Sequence, residues 1–335
     1  MSARSVVVIP GDGIGPEITR ATVGALERLD CGLEFVYAQA GVAAQEACNE
    51  LLPDATLELI GKHGVVLKGP LMTPVGGGFR SLNVTLRNHF DMYANVRPAL
   101  SFPGTLSRYE DVDIITVREN TEGAYLALDS FVSEDDERAE SKMVNTRHAS
   151  RRIAHHAFDL ARKQGRKKVT AVHKANILKA VSGQFLDVVG KIADEYEDIE
   201  YEEMIVDACA MKLVMDPSRF DVLVTTNLFG DIISDLCAGL VGGLGLAPGA
   251  NIGDDASMFE AVHGSAPDIA GQGIANPCAL MLAAAMMLDH IELHDCAEKL
   301  RHAIRETIVA GDRLTPDLGG SGSTQSIAEA VYSRL

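Results

Sequence analysis

The chain has 335 residues, 47% hydrophobic and 23% charged, with a formal net charge of -17. That length has room for about two domains, each with its own core. The acidic balance excludes non-specific nucleic-acid binding, which needs clustered basic surface, and the lack of an apolar run of about 18 residues argues against a membrane span. Val6–Ile9 is a buried-type strand run that ends in the turn Pro10–Gly15 and leads to a helical pattern over Glu17–Leu29. This opening has none of the regions of a signal peptide, so a cytoplasmic location is expected. Further short strands are expected at Val65–Leu67, Ile114–Val117, Val169–Val172 and Val222–Thr225. Helical patterns follow at Ala149–Lys163, Ile177–Glu195, Ile232–Leu240, Pro277–His290 and Cys296–Val309. Strands alternating with helices predict an α/β protein with a largely parallel sheet buried on both faces. The charged segment Asp129–Arg147 breaks the rhythm and reads as a disordered loop or an arm reaching a partner subunit. The six cysteines are scattered without a C-x-x-C pair, which predicts neither a zinc site nor a disulfide framework and suits a reducing compartment.

Several motifs carry candidate chemistry. In IPGDGIGPE, Pro16 stands where a dinucleotide fingerprint needs its third glycine, so the motif reads as a tight turn before a helix. In Ser81–Arg97, Arg87 and Arg97 follow Ser81 and Asn83. A planar guanidinium holds a carboxylate through two parallel hydrogen bonds, so this stretch reads either as a carboxylate clamp or as an amphipathic segment with solvated arginines. Arg118 and Glu119 end one strand pattern, Tyr125 follows seven residues after Arg118, and Lys174 follows another strand. Asp231 and Asp235 stand at i, i+4 within the apolar LFGDIISDLCAGL, on one helix face. Like charges so placed need a counter-charge, and a hard cation such as Mg²⁺ or Mn²⁺ suits oxygen ligands. Asp207 ends another apolar run. These groups fall at successive strand ends, where open α/β sheets bind ligands.

With these motifs in order, the chain resembles the β-decarboxylating dehydrogenases, the family that acts on isocitrate, homoisocitrate, 3-isopropylmalate and tartrate. The resemblance runs from IPGDGIGPE through VRENTEG, HKAN, TTNLFGDIISD, GGLGLAPGANIG and HGSAPDIAG to Asn276–Pro277. It implies a two-domain isopropylmalate-dehydrogenase-like fold with mixed sheets flanked by helices, distinct from the standard Rossmann arrangement. A large cofactor-binding domain would comprise 1–97 and 242–335, and a small dimerisation domain 98–241, with an arm or clasp at about 123–147. By the same resemblance Arg87, Arg97 and Arg118 bind the substrate's carboxylates, and Asp207, Asp231 and Asp235 hold the metal. Tyr125 and Lys174 become the catalytic pair. Lys174 and Asp207 would enter from the neighbouring subunit of a homodimer with shared active sites. His263, Gly264, Ala266, Asp268, Ile269 and Asn276 match the adenosine-binding loop, and Ile14, Leu71, Thr73 and Asn176 complete the expected cofactor contacts.

The resemblance also bears on specificity. A carboxylate at Asp268 accepts hydrogen bonds from the ribose hydroxyls of NAD and repels the phosphate of NADP, so NAD is expected. Isopropylmalate-type members place apolar or acidic residues where this chain has Ser81 and Asn83. These two residues offer donors to a third carboxylate, with Lys68 as an added cation nearby, which predicts isocitrate as the tricarboxylate substrate of a tricarboxylic acid cycle enzyme. Homoisocitrate is the alternative, followed by 3-isopropylmalate and by a non-catalytic regulatory subunit, which would lack the tyrosine, lysine or metal aspartates. Phosphorylation of Ser81, which occurs at the matching serine in some bacterial members, would place an anion beside Arg87 and Arg97 and repel the substrate.

Overall fold

The computed structural model of the protein describes residues 4–72 and 81–335. The first elements are β1 (Arg4–Ile9), α1 (Gly15–Leu29), β2 (Leu33–Tyr37), α2 (Val42–Cys48), α3 (Asp54–His63), β3 (Val65–Lys68) and α4 (Leu82–His89). Next come β4 (Ala94–Leu100), β5 (Asp113–Glu119), β6 (Gly123–Val132), β7 (Ala139–Val144), α5 (Arg147–Lys163) and β8 (Lys168–His173). They are followed by α6 (Val181–Ala193), β9 (Glu200–Ile205), α7 (Val206–Met215), β10 (Val222–Thr225) and α8 (Asn227–Leu240). The chain finishes with β11 (Pro248–Ile252), β12 (Ser257–Ala261), α9 (Cys278–His290), α10 (His294–Ala310) and α11 (Thr324–Tyr332).

These elements form two compact units, one of residues 1–90, 101–110 and 238–335, the other of 91–100 and 111–237. These bounds differ from the expected cuts at 97/98 and 241/242 in three respects: the outer cuts fall at 90/91 and 237/238, and residues 101–110 return to the first unit. All of β4 belongs with the second unit, because it pairs antiparallel with β5 from Ala94↔Glu119 to Leu100↔Asp113.

In the first unit the strands run in the order β2-β1-β3-β12-β11. All pairs are parallel except β12–β11. The all-apolar core of β1, with Val6 to Ile9 fully buried, is what a strand covered on both faces requires. Helix α9 (CALMLAAAMMLDH) is buried on almost every side, as a helix apolar all round must be, and packs on β12 and β11. No helix among the described residues is long and apolar enough to cross a membrane.

Cys31 and Cys296 form a disulfide within this unit, joining residues 265 apart in sequence. The expectation of no disulfide framework did not foresee this long-range pair. Local spacing reveals only nearby pairs, whereas here the fold brings the residue just after α1 beside the first turn of α10. The scattered cysteines therefore do not mark a reducing compartment.

The second unit has the strand order β4-β5-β10-β8-β9, parallel except for β4–β5. Helix α5 packs across β5, β10 and β8. Its N-terminus is capped by Thr146, whose hydroxyl accepts from the Ala149 amide at 3.1 Å. The charged segment 129–147 is ordered: its first part continues β6, which pairs with β7 in an irregular antiparallel hairpin, and its last residue opens α5. The fold class is thus mixed α/β, with antiparallel strands added to parallel cores.

Candidate active site

The second unit gathers a cationic cluster around one carboxylate. Antiparallel pairing puts Arg97 opposite Thr116 and Arg118 opposite Asn95, so both arginines project from the same face of β4–β5. Asp231 and Asp235, one turn apart on α8, meet them. Arg97 donates to Asp231 at 3.3 Å, Ser234 at 2.8 Å and Asp235 at 3.2 Å. The buried Arg118 forks between Asp231 and the Asn227 side-chain oxygen, which accepts from Nε at 3.0 Å and from a terminal nitrogen at 2.7 Å. The Tyr125 hydroxyl donates to the other Asp231 oxygen at 2.5 Å, and its ring lies 5.1 Å from the Arg118 guanidinium carbon. Burial and the bond to Asp231 push the Tyr125 phenol above its ordinary value despite Arg118, so it stays protonated. Burial likewise raises the Asp235 carboxyl, opposed by Arg97.

Two positions in this cluster carried no signal in the sequence reading. Asn227 is the polar hinge of Arg118, and its own amide donates to the Glu122 carbonyl at 2.9 Å. A Cβ at Gly230 would stand 2.5 Å from Arg118 Cγ, so glycine clears the space in which the buried arginine lies. The asparagine and glycine of TTNLFGD were the available signal.

Elsewhere in this unit, the Lys174 ammonium is bonded to Asp207 in the first turn of α7. That bond holds the exposed Asp207 carboxyl below its ordinary value. Asn176 is exposed in the turn that follows Lys174. Asp207 does not join Asp231 and Asp235: among the described residues, no group of three or more His, Cys, Asp or Glu could hold a metal within one chain. Asp231 and Asp235 place two hard oxygen donors on one face of α8.

In the first unit, Asn83 and Arg87 lie one turn apart on α4, while Ser81 occupies the exposed position before it. Arg87 donates to Glu260 at 2.9 Å, and Lys68 pairs with the other Glu260 oxygen at 2.7 Å. The last pair is fixed by register, since Lys68 and Glu260 face each other across parallel β3 and β12. Lys68, expected as an added cation near the substrate, has a fully buried side chain whose ammonium bonds Glu260 and the Gly69 carbonyl. Arg87 Nε and the Asn83 side-chain oxygen are buried without hydrogen-bond partners among the described residues, which leaves both side chains with unmet polar capacity. Burial opposes charge on Glu260, yet Lys68 and Arg87 hold its carboxyl well below the usual range.

The expected cofactor residues are placed as follows. Ile14 is buried in the N-terminal turn, Leu71 is half-buried in the segment after β3, and Thr73 lies outside the described residues. His263, whose imidazole is lowered by burial, and Gly264 open the loop after β12. Ala266 takes a left-handed conformation (φ 39°) that leads to the short 3₁₀ turn Pro267–Ile269, where Asp268 presents an exposed carboxylate. Asn276 stands just before α9: its oxygen accepts from the Cys278 amide at 2.9 Å, and its amide donates to Asp317 at 3.0 Å.

The family model for isocitrate/isopropylmalate dehydrogenase matches residues 5–331. The chain is 49% identical over 329 residues to the mitochondrial NAD isocitrate dehydrogenase catalytic subunit 6 of Arabidopsis thaliana, covering 98% of this chain and 87% of that one. It is 48% identical over 332 residues to 3-isopropylmalate dehydrogenase of Archaeoglobus fulgidus, covering 99% of each. Its backbone matches the crystal structure of isocitrate dehydrogenase from Methylococcus capsulatus with a TM-score of 0.95 and 55% identity, over 100% of this chain and 99% of that one.

Proposed function

The chain belongs to the isocitrate/isopropylmalate dehydrogenase family, and we propose that it converts isocitrate and NAD to 2-oxoglutarate, CO₂ and NADH. Ser81 and Asn83 carry this reading. Where an isopropyl group would need an apolar wall, the start of α4 offers a hydroxyl and an amide beside Arg87. The Arabidopsis and Methylococcus relatives named for isocitrate support the same choice.

Arg87, Arg97 and Arg118 bind carboxylates of the acid. Asp231 and Asp235, with Asp207 from a second copy, would hold Mg²⁺ or Mn²⁺, since three hard carboxylates suit such an ion. A divalent ion held there would polarise the substrate hydroxyl and its neighbouring carboxylate, and bound NAD would serve as the hydride acceptor. Lys174 assists removal of the hydroxyl proton through a relay. Tyr125, kept protonated by burial and Asp231, supplies a proton to the carbon that loses CO₂.

The homodimer in this proposal is supported by apolar side chains left exposed near Asp207, Met211 at 55% and Met215 at 72%, and by Phe131 and Val132 on the β6–β7 hairpin. NAD is preferred because Asp268 would face the added phosphate of NADP, of charge about -1.5 to -2.

A second reading, oxidation of 3-isopropylmalate, is favoured by the Archaeoglobus relative at nearly the same identity. Assaying isocitrate, homoisocitrate and 3-isopropylmalate with NAD and Mg²⁺ or Mn²⁺ tests the choice. Isocitrate is expected to give the highest kcat/KM, and a higher value for either other acid overturns it.

A further inference from the structure

Of the motif IPGDGIGPE only Ile14 is assigned a role above, yet the motif's aspartate is buried at the centre of a backbone knot. Asp12 Oδ1 accepts from the Val42 amide at 2.9 Å and the Ala43 amide at 3.4 Å, while Oδ2 accepts from the Met72 amide at 2.7 Å. The Asp12 amide donates to the Pro70 carbonyl at 2.7 Å, and the Ile14 amide donates to the Ser265 carbonyl at 2.9 Å. A Cβ at Gly13 (φ 61°) would stand 2.0 Å from that Ser265 oxygen, so only glycine lets the two backbones approach. Lys68 fixes the Gly69 carbonyl from the other side. Residues 69, 70 and 72 are therefore each anchored, and the turn grips 265 as well. One turn binds both segments that carry the expected cofactor residues, Leu71 on one and His263 to Ile269 on the other.

We propose that Asp12 is a positioning residue for the cofactor site: its carboxylate and the glycine turn around it fix the 69–72 and 263–269 segments in the spacing that NAD requires. The inference rests on the assignment of those segments to NAD. It accounts for a motif that looks like a phosphate loop but spends its amides on protein carbonyls. A neutral amide at position 12 retains the shape but points a donor at one of three backbone donors, so one anchor must fail.

The test is Asp12→Asn, read by calorimetric NAD binding, steady-state kinetics, thermal melting and amide hydrogen exchange without cofactor. Expected are an NAD Kd weakened about tenfold or more, kcat at saturating NAD within about threefold of the parent, and faster exchange confined to the 69–72 and 263–269 segments and the Val42 and Ala43 amides. Unchanged NAD affinity with unchanged exchange in both segments overturns the proposal. So does a uniform rise in exchange with lower kcat and no change in NAD affinity, which marks a merely structural role. Should Asp12→Asn fail to fold, Gly41→Ala perturbs the same carboxylate from outside, because its Cβ would stand 2.1 Å from Asp12 Oδ2, and the same readouts apply. If the parent protein binds no NAD, the cofactor assignment fails, and the exchange comparison still decides whether Asp12 organises the two segments.

Discussion

Glu260 brings two cations into the core of the first unit, and its neighbours decide what that arrangement is worth. Lys68 is fully buried and Arg87 nearly so, so the three groups carry a net charge of about +1 in a poorly solvated place. Removing the carboxylate leaves both cations uncompensated. Glu260→Gln is expected to destabilise the protein by about 3–5 kcal/mol in urea unfolding at pH 7; a loss under about 1 kcal/mol would mean that the cations find other partners. The folded carboxyl lies below its unfolded value of about 4.3, so the unfolded chain takes up the proton first. The Glu260 contribution is therefore fully present above that pH and is lost as pH falls below it towards the folded value. In Glu260→Gln this acid-side loss should shrink. At the other cluster, Tyr125→Phe removes the proton donor while keeping the ring beside Arg118. We expect kcat to fall about a hundredfold or more with little change in substrate KM, measured by initial rates; an unchanged kcat would assign the proton to another group.

Helix α8 shows how one element carries both a charge array and the room for it. Its aspartates meet Arg97 and Arg118 because they share a face, and its Gly230 yields to the Arg118 side chain. Alanine is the better helix former by about 1 kcal/mol, so a purely local view predicts that Gly230→Ala stabilises. The contact at 2.5 Å predicts instead a displaced Arg118. The substrate KM should rise about tenfold or more in steady-state assays, with the melting temperature little changed; an unchanged KM would show that Arg118 accommodates the methyl group. Much of this was legible in the chain. The i, i+4 aspartates in apolar sequence, the strand runs at Val6–Ile9 and Val222–Thr225, and the ordered motifs pointed to the fold and to the charged groups. What escaped were relations between distant residues. Lys68 reads only as an added cation near the substrate until β3–β12 register puts Glu260 opposite it. Asp12 reads as a turn residue until Val42 and Met72, 30 and 60 positions later, turn their amides towards it. The charged 129–147 segment concealed a strand because β7 has little of the apolar alternation that marks one.

In the proposed homodimer, where Lys174 and its partner Asp207 act with Asp231 of the second copy, catalysis is predicted to depend on two copies. Two individually inactive variants, Lys174→Ala and Asp231→Asn, should restore activity when refolded together. In a statistical mixture half the dimers are mixed and each of these has one intact site, so about a quarter of the parent activity is expected. No recovery would place all the catalytic groups in one chain. The Cys31–Cys296 bond adds a topological consequence. The first unit is assembled from three stretches of chain, and the disulfide ties the outer two covalently. The intervening sequence, including the whole second unit, is therefore a closed covalent ring. A single protease cut in the exposed β6–β7 hairpin would open that ring without releasing a fragment, giving one species on a non-reducing gel and two once the bond is reduced. A nicked chain held in this way keeps both halves of its first core at high effective concentration and retains the means to reassemble.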